Sequence, residues 1–214
     1  LSALGKGQDE ELLKTWIRAK YAENIREGKR GATNKDFEII GTRFHKWVRE
    51  NADKVELKTS DDFHQFIVRK FAFFSDLYLK IRKSEAEFNP ALDTVFYASY
   101  HTFPYQTLLL LSAIKYGDDA ETVRKKMQAI SRYVEMFIVL RSINFSALGS
   151  SSIRYTMFTL MKDVRDVDLN NLVHLLKERL SAMEESFEGI LEFGLNQKNY
   201  HFTKFLLARI THYI

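Results

Sequence analysis

Histidines and clustered acids are the first residues to test for chemistry. His45, His64, His101, His174, His201 and His212 could ligate a metal or move a proton. None stands three or four residues from another, the spacing that sets two imidazoles on one helix face. His201 and His212 are eleven residues apart, three turns along one face and too far to share an ion. His45, between Phe44 and Trp47, reads as a residue at the edge of an apolar stripe. Asp163, Asp166 and Asp168 offer three carboxylates to a hard cation. Lys162 and Arg165 stand among them, however, and Asp168 is placed as a helix cap, so a capped, solvated turn is the preferred reading. Glu184, Glu185 and Glu188 read as an exposed acidic face. Gly5-Lys6-Gly7 lacks the spacing of a phosphate-cradling loop. The chain has no Cys, which excludes disulfides, thiolate metal sites and thiol nucleophiles.

The cations fall into three groups. Arg26, Lys29 and Arg30 lie at a turn, and Arg43, Lys46 and Arg49 follow on the polar side of the next helix. If the two helices form a hairpin, these six could hold nucleic-acid phosphates. Arg124, Lys125 and Lys126 form a second basic run that could do the same. The competing reading for both is a solvated charged face. Arg141 falls where helical spacing calls for an apolar residue, and Arg165 shares its character. A buried guanidinium must be paired and hydrogen-bonded. Both therefore read as buried polar clamps, with Glu135, Asp163, Asp166 or helix C-terminal carbonyls as the expected partners of Arg141.

The elements that must position these residues are helical nearly throughout. Leu12, Leu13, Trp16, Ile17 and Ile25 stripe a helix over roughly 9–28, which Gly28 and Gly31 end. Phe37, Ile40, Phe44, Trp47 and Val48 stripe a second, capped by Thr33 or Asn34. Ser60-Asp61-Asp62 opens a long third, with Phe63, Phe66, Ile67, Phe71, Phe74, Leu77, Tyr78 and Ile81 as its apolar side. Asn89-Pro90 and Phe103-Pro104 each start a helix, and the latter ends at Tyr116-Gly117. Asp118-Asp119 starts a helix over about 119–144, Ile153 to Val164 forms another, and Asp168 caps the next. Phe187 to Phe193 is a weaker segment, and Phe202, Phe205, Leu206, Ile210 and Tyr213 stripe the last. Val55 to Lys58 alternates but is too short to build a sheet.

Composition agrees with this pattern. Of 214 residues, only 2 are Pro and 9 Gly, too few for a turn-rich sandwich or propeller. The longest apolar run, Leu108 to Ile114, is far shorter than the ~20 residues a membrane span needs. Lys and Arg number 32 against 28 Asp and Glu, and the +4 excess permits nucleic-acid contact without arguing for it. No apolar signal segment opens the chain, so a cytoplasmic location is the default. The chain begins at Leu1 and stops at Ile214 within a helical stripe, which reads as a piece of a longer protein.

The stretch Asn34-Lys35-Asp36-Phe37-Glu38-Ile39-Ile40-Gly41-Thr42-Arg43-Phe44-His45-Lys46-Trp47-Val48-Arg49 resembles the segment after the N-terminal catalytic domain of bacterial GmrSD-type proteins. Tyr133 to Asn144, the Ser-rich turn, and Tyr155 to Arg165 resemble the same family. The ending Leu206 to Ile214 resembles the helix that leads into their C-terminal nuclease domain. The resemblance implies a parent with a ParB/sulfiredoxin-like nucleotide-hydrolysing domain, a helical middle, and a His-Me finger nuclease that restricts foreign DNA. Neither the Asp-Gly-Gln-Gln-Arg motif nor the nuclease motif occurs in this chain, so no catalytic residue is carried over.

These readings set the expectations. The fold should be all-α, a single-domain bundle of eight to ten helices over 1–214, with 1–30 as a possible helical arm. The function implied by the resemblance is a non-catalytic coupling module with no cofactor or metal, whose partners are the flanking catalytic domains and possibly DNA. One alternative is a phosphate-contacting module using Arg26, Lys29, Arg30, Arg43, Lys46 and Arg49. Another is a helical enzyme with a pocket around Arg141 and Arg165, which burial of both in internal salt bridges would count against.

Overall fold

The computed structural model describes residues 7–26, 33–101, 103–194 and 199–213. Among these the chain is all-α. The only extended pairing is an isolated bridge between Arg26 and Asn34. Among the described residues no helix is long and apolar enough to cross a membrane.

Helix α7 (Gln106–Ala113) sits at the centre and is buried on every side, including Leu108 to Leu111. A helix apolar all round can only be a core element. It packs against α1 (Gln8–Tyr21), α5 (Ala72–Ala86), α8 (Ala120–Ile143) and α9 (Ser150–Asp163). Far from forming an arm, α1 buries Leu12, Trp16, Ile17 and Ala19 in this core. It ends at Tyr21, well short of residue 28, because Ala22 turns to an extended conformation. The proposed stop at Gly28 and Gly31 lies outside the described residues.

The expected second helix is broken at Arg43 into α2 (Asp36–Thr42) and α3 (Phe44–Glu50). Arg43 has φ −140° and ψ 49°, outside helical values. The apolar stripe survives the break: Phe37, Ile40 and Trp47 are buried, and Phe44 and Val48 pack at the core edge. Gly41 permits a close approach just before the break. A Cβ there would overlap the guanidinium of Arg18, which donates to the Phe37 carbonyl at 2.8 Å.

The third helix runs from α4 (Ser60–Gln65) through a π-helical segment, Phe66–Phe71, into α5. Its cap is Thr59 rather than Ser60, in a reciprocal capping box with Asp62. The π segment alters the buried face. Phe66, Phe71 and Phe74 all pack on Trp16, with ring centroids 4.9, 6.0 and 5.2 Å away. Phe63 and Ile67, expected on the apolar side, are left 52% and 53% exposed.

Asn89 caps a 3-10 turn with Pro90 at its start, which leads into α6 (Asp93–Ser99). α7 begins after Phe103-Pro104 and ends at Ala113. The expected stop, Gly117, instead takes φ +91° in the following turn. Asp119 caps α8 by accepting from the Glu121 and Thr122 N–H groups, and Asp168 caps α10 (Leu169–Ser181) in the same way. The weak segment is a 3-10 turn, Phe187–Leu191. The last helix, α11 (Tyr200–Tyr213), docks through a separate small cluster of Ile143, Phe202 and Phe205.

Candidate functional site

Arg43, at the break before α3, and Lys46 and Arg49 within α3 recur at three-residue intervals, and all are exposed. Arg43 and Arg49 have no carboxylate partner among the described residues. Lys46 meets only Glu50, at 3.7 Å, with both side chains more than half exposed. Such a pair contributes little and leaves the ammonium open to solvent. Arg26 is exposed on the neighbouring connection, also without a carboxylate partner among the described residues. Lys29 and Arg30 lie outside the described residues.

The inner side of α3 is fixed firmly. Trp47 is buried, and its indole Nε1–H donates to Asp36 at 2.8 Å. Asp36 also accepts the Glu23 N–H at 3.0 Å and pairs with Lys54 at 3.5 Å. Burial pushes the Asp36 carboxyl up, but these donors outweigh burial and hold it below the usual carboxylate range. One ionised carboxylate therefore ties the end of α1, the start of α2 and the buried face of α3 together. Arg154 on α9 adds a further brace by pairing with Glu38 of α2 at 2.8 Å. The cations of α3 thus stand on a rigid base.

The second basic run is neutralised. Arg124 is bidentate to Glu121, Lys125 lies 3.4 Å from the same carboxylate, and Lys126 is buried against Asp118 at 2.7 Å. Their residue types match those of the first group; partner geometry separates the two.

Arg141 and Arg165 are partly buried and occupy different places. Arg141 donates to Glu185 at 2.8 Å and to the Ala147 carbonyl at 2.8 and 3.1 Å. The acids expected for it are taken elsewhere: Glu135 by Arg209, Asp163 by Arg179, and Asp166 by Lys20. Arg165 fans onto the end of α1, donating to the Ala19 carbonyl at 2.9 Å, the Ala22 carbonyl at 2.7 Å, and Glu23. It is Arg165, rather than Arg141, that takes helix C-terminal carbonyls. With separate partners, the two arginines do not line a common pocket.

The three clustered aspartates also have three separate roles, since Asp168 caps α10. Among the described residues no group of three or more His, Asp or Glu is arranged to hold a metal ion.

Two further buried cations, Lys20 and Arg209, were not singled out by the sequence. Lys20 donates to the Ser112 and Ile114 carbonyls, at 2.9 and 2.5 Å, and to Asp166 at 2.6 Å. Burial lowers its pKa to about 8, against the opposing pull of Asp166. Asp166 has φ +56°, which Asp tolerates better than most residues, and its N–H donates to the Ser112 carbonyl. The other is Arg209. Arg209 pairs with Asp93 at 2.8 Å and with Glu135, and its guanidinium lies 4.6 Å from the Tyr97 ring centroid. The only sequence signal for it was a charge on the inward face of the last stripe.

Compared with family models, with curated proteins and with solved structures, the chain matches none.

Proposed function

We propose that this chain is a non-catalytic helical module that contacts a nucleic-acid phosphate backbone through the outer face of α3. The reading rests on one observation. Arg49 on α3 and Arg43 at the break just before it stand exposed without carboxylate partners among the described residues, while Trp47 pins the inner side of α3 to Asp36 of α2. Cations on a fixed backbone spare the cost of ordering the main chain when they meet phosphates, and backbone contacts of this kind are insensitive to sequence. In a GmrSD-type arrangement such a module would stand between a nucleotide-hydrolysing domain and a nuclease domain and couple them. The separate, internally paired settings of Arg141 and Arg165 favour this reading over an enzyme built around those two residues.

Titration of duplex DNA at several salt concentrations tests the proposal. Binding should weaken linearly in log affinity with log salt, with a slope of about −0.9 per phosphate neutralised. The triple variant Arg43→Glu, Lys46→Glu, Arg49→Glu should abolish binding while leaving the helical circular dichroism unchanged. Absence of binding at low salt, or unaltered binding by the triple variant, would overturn it.

A further inference from the structure

Three helices converge on a cavity of about 420 Å³ beside the central helix. Glu11 and Thr15 of α1 face it at an i,i+4 spacing. Tyr78, Arg82 and Glu85 of α5 face it at i, i+4 and i+7, and Thr107 comes from the first turn of α7. Both spacings put the side chains of one helix on one side. Tyr78 is 3% exposed, and its hydroxyl makes no hydrogen bond to any described residue, although it borders this cavity. The hydroxyl oxygen is not sealed from water, so a group that enters the cavity can partner it. Burial raises its pKa; Glu11 and Glu85 act in the same direction and Arg82 in the opposite one, so all three charges lie within electrostatic reach of it.

The donors and acceptors around the cavity are unbalanced. Glu85 accepts from Gln106 at 3.1 Å, from Thr107 at 3.1 Å and from Arg82 at 2.6 Å. Three of its roughly four acceptor positions are therefore used. Glu11 accepts only from Thr15, at 3.2 Å. Among the described residues that line the cavity, Arg82 is the one cation against two carboxylates, and half of its side chain is in solvent. Apart from the remaining N–H groups of Arg82, the free positions are acceptors, and two carboxylates against one guanidinium leave the described walls net negative. Phe103 and Leu108 supply apolar wall, and a second cavity of about 420 Å³ shares Arg82, Glu85 and Phe103 with the first.

We propose that this cavity binds a small organic cation, an alkylammonium or alkylguanidinium group, using Glu11, Glu85 and the Tyr78 hydroxyl as acceptors. The alkyl stem lies along Phe103 and Leu108, with room to continue past Glu85 into the second cavity. The cation is either a free small molecule or a Lys or Arg side chain presented by a peptide.

Calorimetric titration with n-butylguanidinium and n-butylammonium tests this, with n-butanol and butanoate as controls. Saturable binding of the two cations and none of the controls is expected. Tyr78→Phe, which removes only the oxygen, and Glu11→Gln should each weaken binding by about tenfold. Glu11→Gln alters a surface residue and carries the test alone should Tyr78→Phe fail to fold. Equal binding of cations and controls, no binding at all, or affinity unchanged in a folded variant would overturn the proposal. A short acetylated and amidated peptide with one Arg distinguishes the sources. Tighter binding than n-butylguanidinium identifies a peptide-borne cation, and weaker binding a free one.

Discussion

Lys125 and Lys126 are adjacent and identical in chemistry, yet one is solvated beside Glu121 and the other is buried on Asp118. The same contrast separates Arg43, which faces solvent, from Arg209, which is 7% exposed and doubly paired. At this scale the environment sets the chemistry, and His101 shows it by titration. It lies edge-on to Phe205 at 4.4 Å. Burial lowers its pKa from 6.5 to about 4, and nearby His201 acts in the same direction. The folded chain therefore holds a neutral imidazole, while the unfolded chain takes up a proton below pH 6.5. Between the two values the unfolded state binds more protons, so stability falls as pH falls through that window. The contribution of His101 is complete above pH 6.5 and is lost towards pH 4. Urea midpoints measured across this range should fall for the native chain and be flatter for His101→Gln. Parallel slopes for the two proteins would refute the assignment.

At the scale of elements, the π segment decides which side of a helix is buried. Five residues along an α-helix set two side chains about 140° apart. An i→i+5 turn brings them back towards one face. Phe66 and Phe71 can therefore both reach Trp16, together with Phe74. From sequence alone the stripe reads through Phe63, Phe66, Ile67, Phe71 and Phe74, and the π turn removes Phe63 and Ile67 from it. Truncation separates the two registers. Phe66→Ala should cost about 3–5 kcal/mol, whereas Ile67→Ala, at an exposed position, should change stability by no more than about 0.5 kcal/mol. Chemical denaturation of both variants measures the difference, and the opposite ranking would restore the α-helical register.

For the whole molecule, the unequal attachment of α11 matters most. The main core gathers around α7, while α11 rests on a small apolar cluster and on the pairs from Arg209 to Asp93 and Glu135. Removing one partner of such a buried set leaves the others uncompensated, at a cost of about 3–5 kcal/mol. Arg209→Met should therefore loosen α11 first. Hydrogen exchange should show its amides opening while those of α7 and α8 stay protected. Uniform loss of protection across all three helices would show that α11 belongs to the same cooperative unit as the main core.

The sequence by itself determined the all-α class and most helix starts. Asp119, Asp168 and Asn89-Pro90 act where their types predict, since a cap or a proline works within its own turn. Periodicity likewise marked most of the core residues, because a stripe is written within a few turns of one helix. The exposed cations of α3 were legible as a group, although their freedom from partners was not. Tertiary structure decided the rest. Arg165 reaches Glu23 across 142 residues, Arg209 reaches Asp93 across 116, and Arg141 reaches Glu185 across 44. Several acids could have served each arginine, and only packing brings one of them within hydrogen-bonding distance. Packing on Trp16 likewise set the π register, and the convergence of α1, α5 and α7 brought Tyr78, Glu11 and Glu85 to one cavity. A pattern along one helix cannot encode what a second helix brings to it.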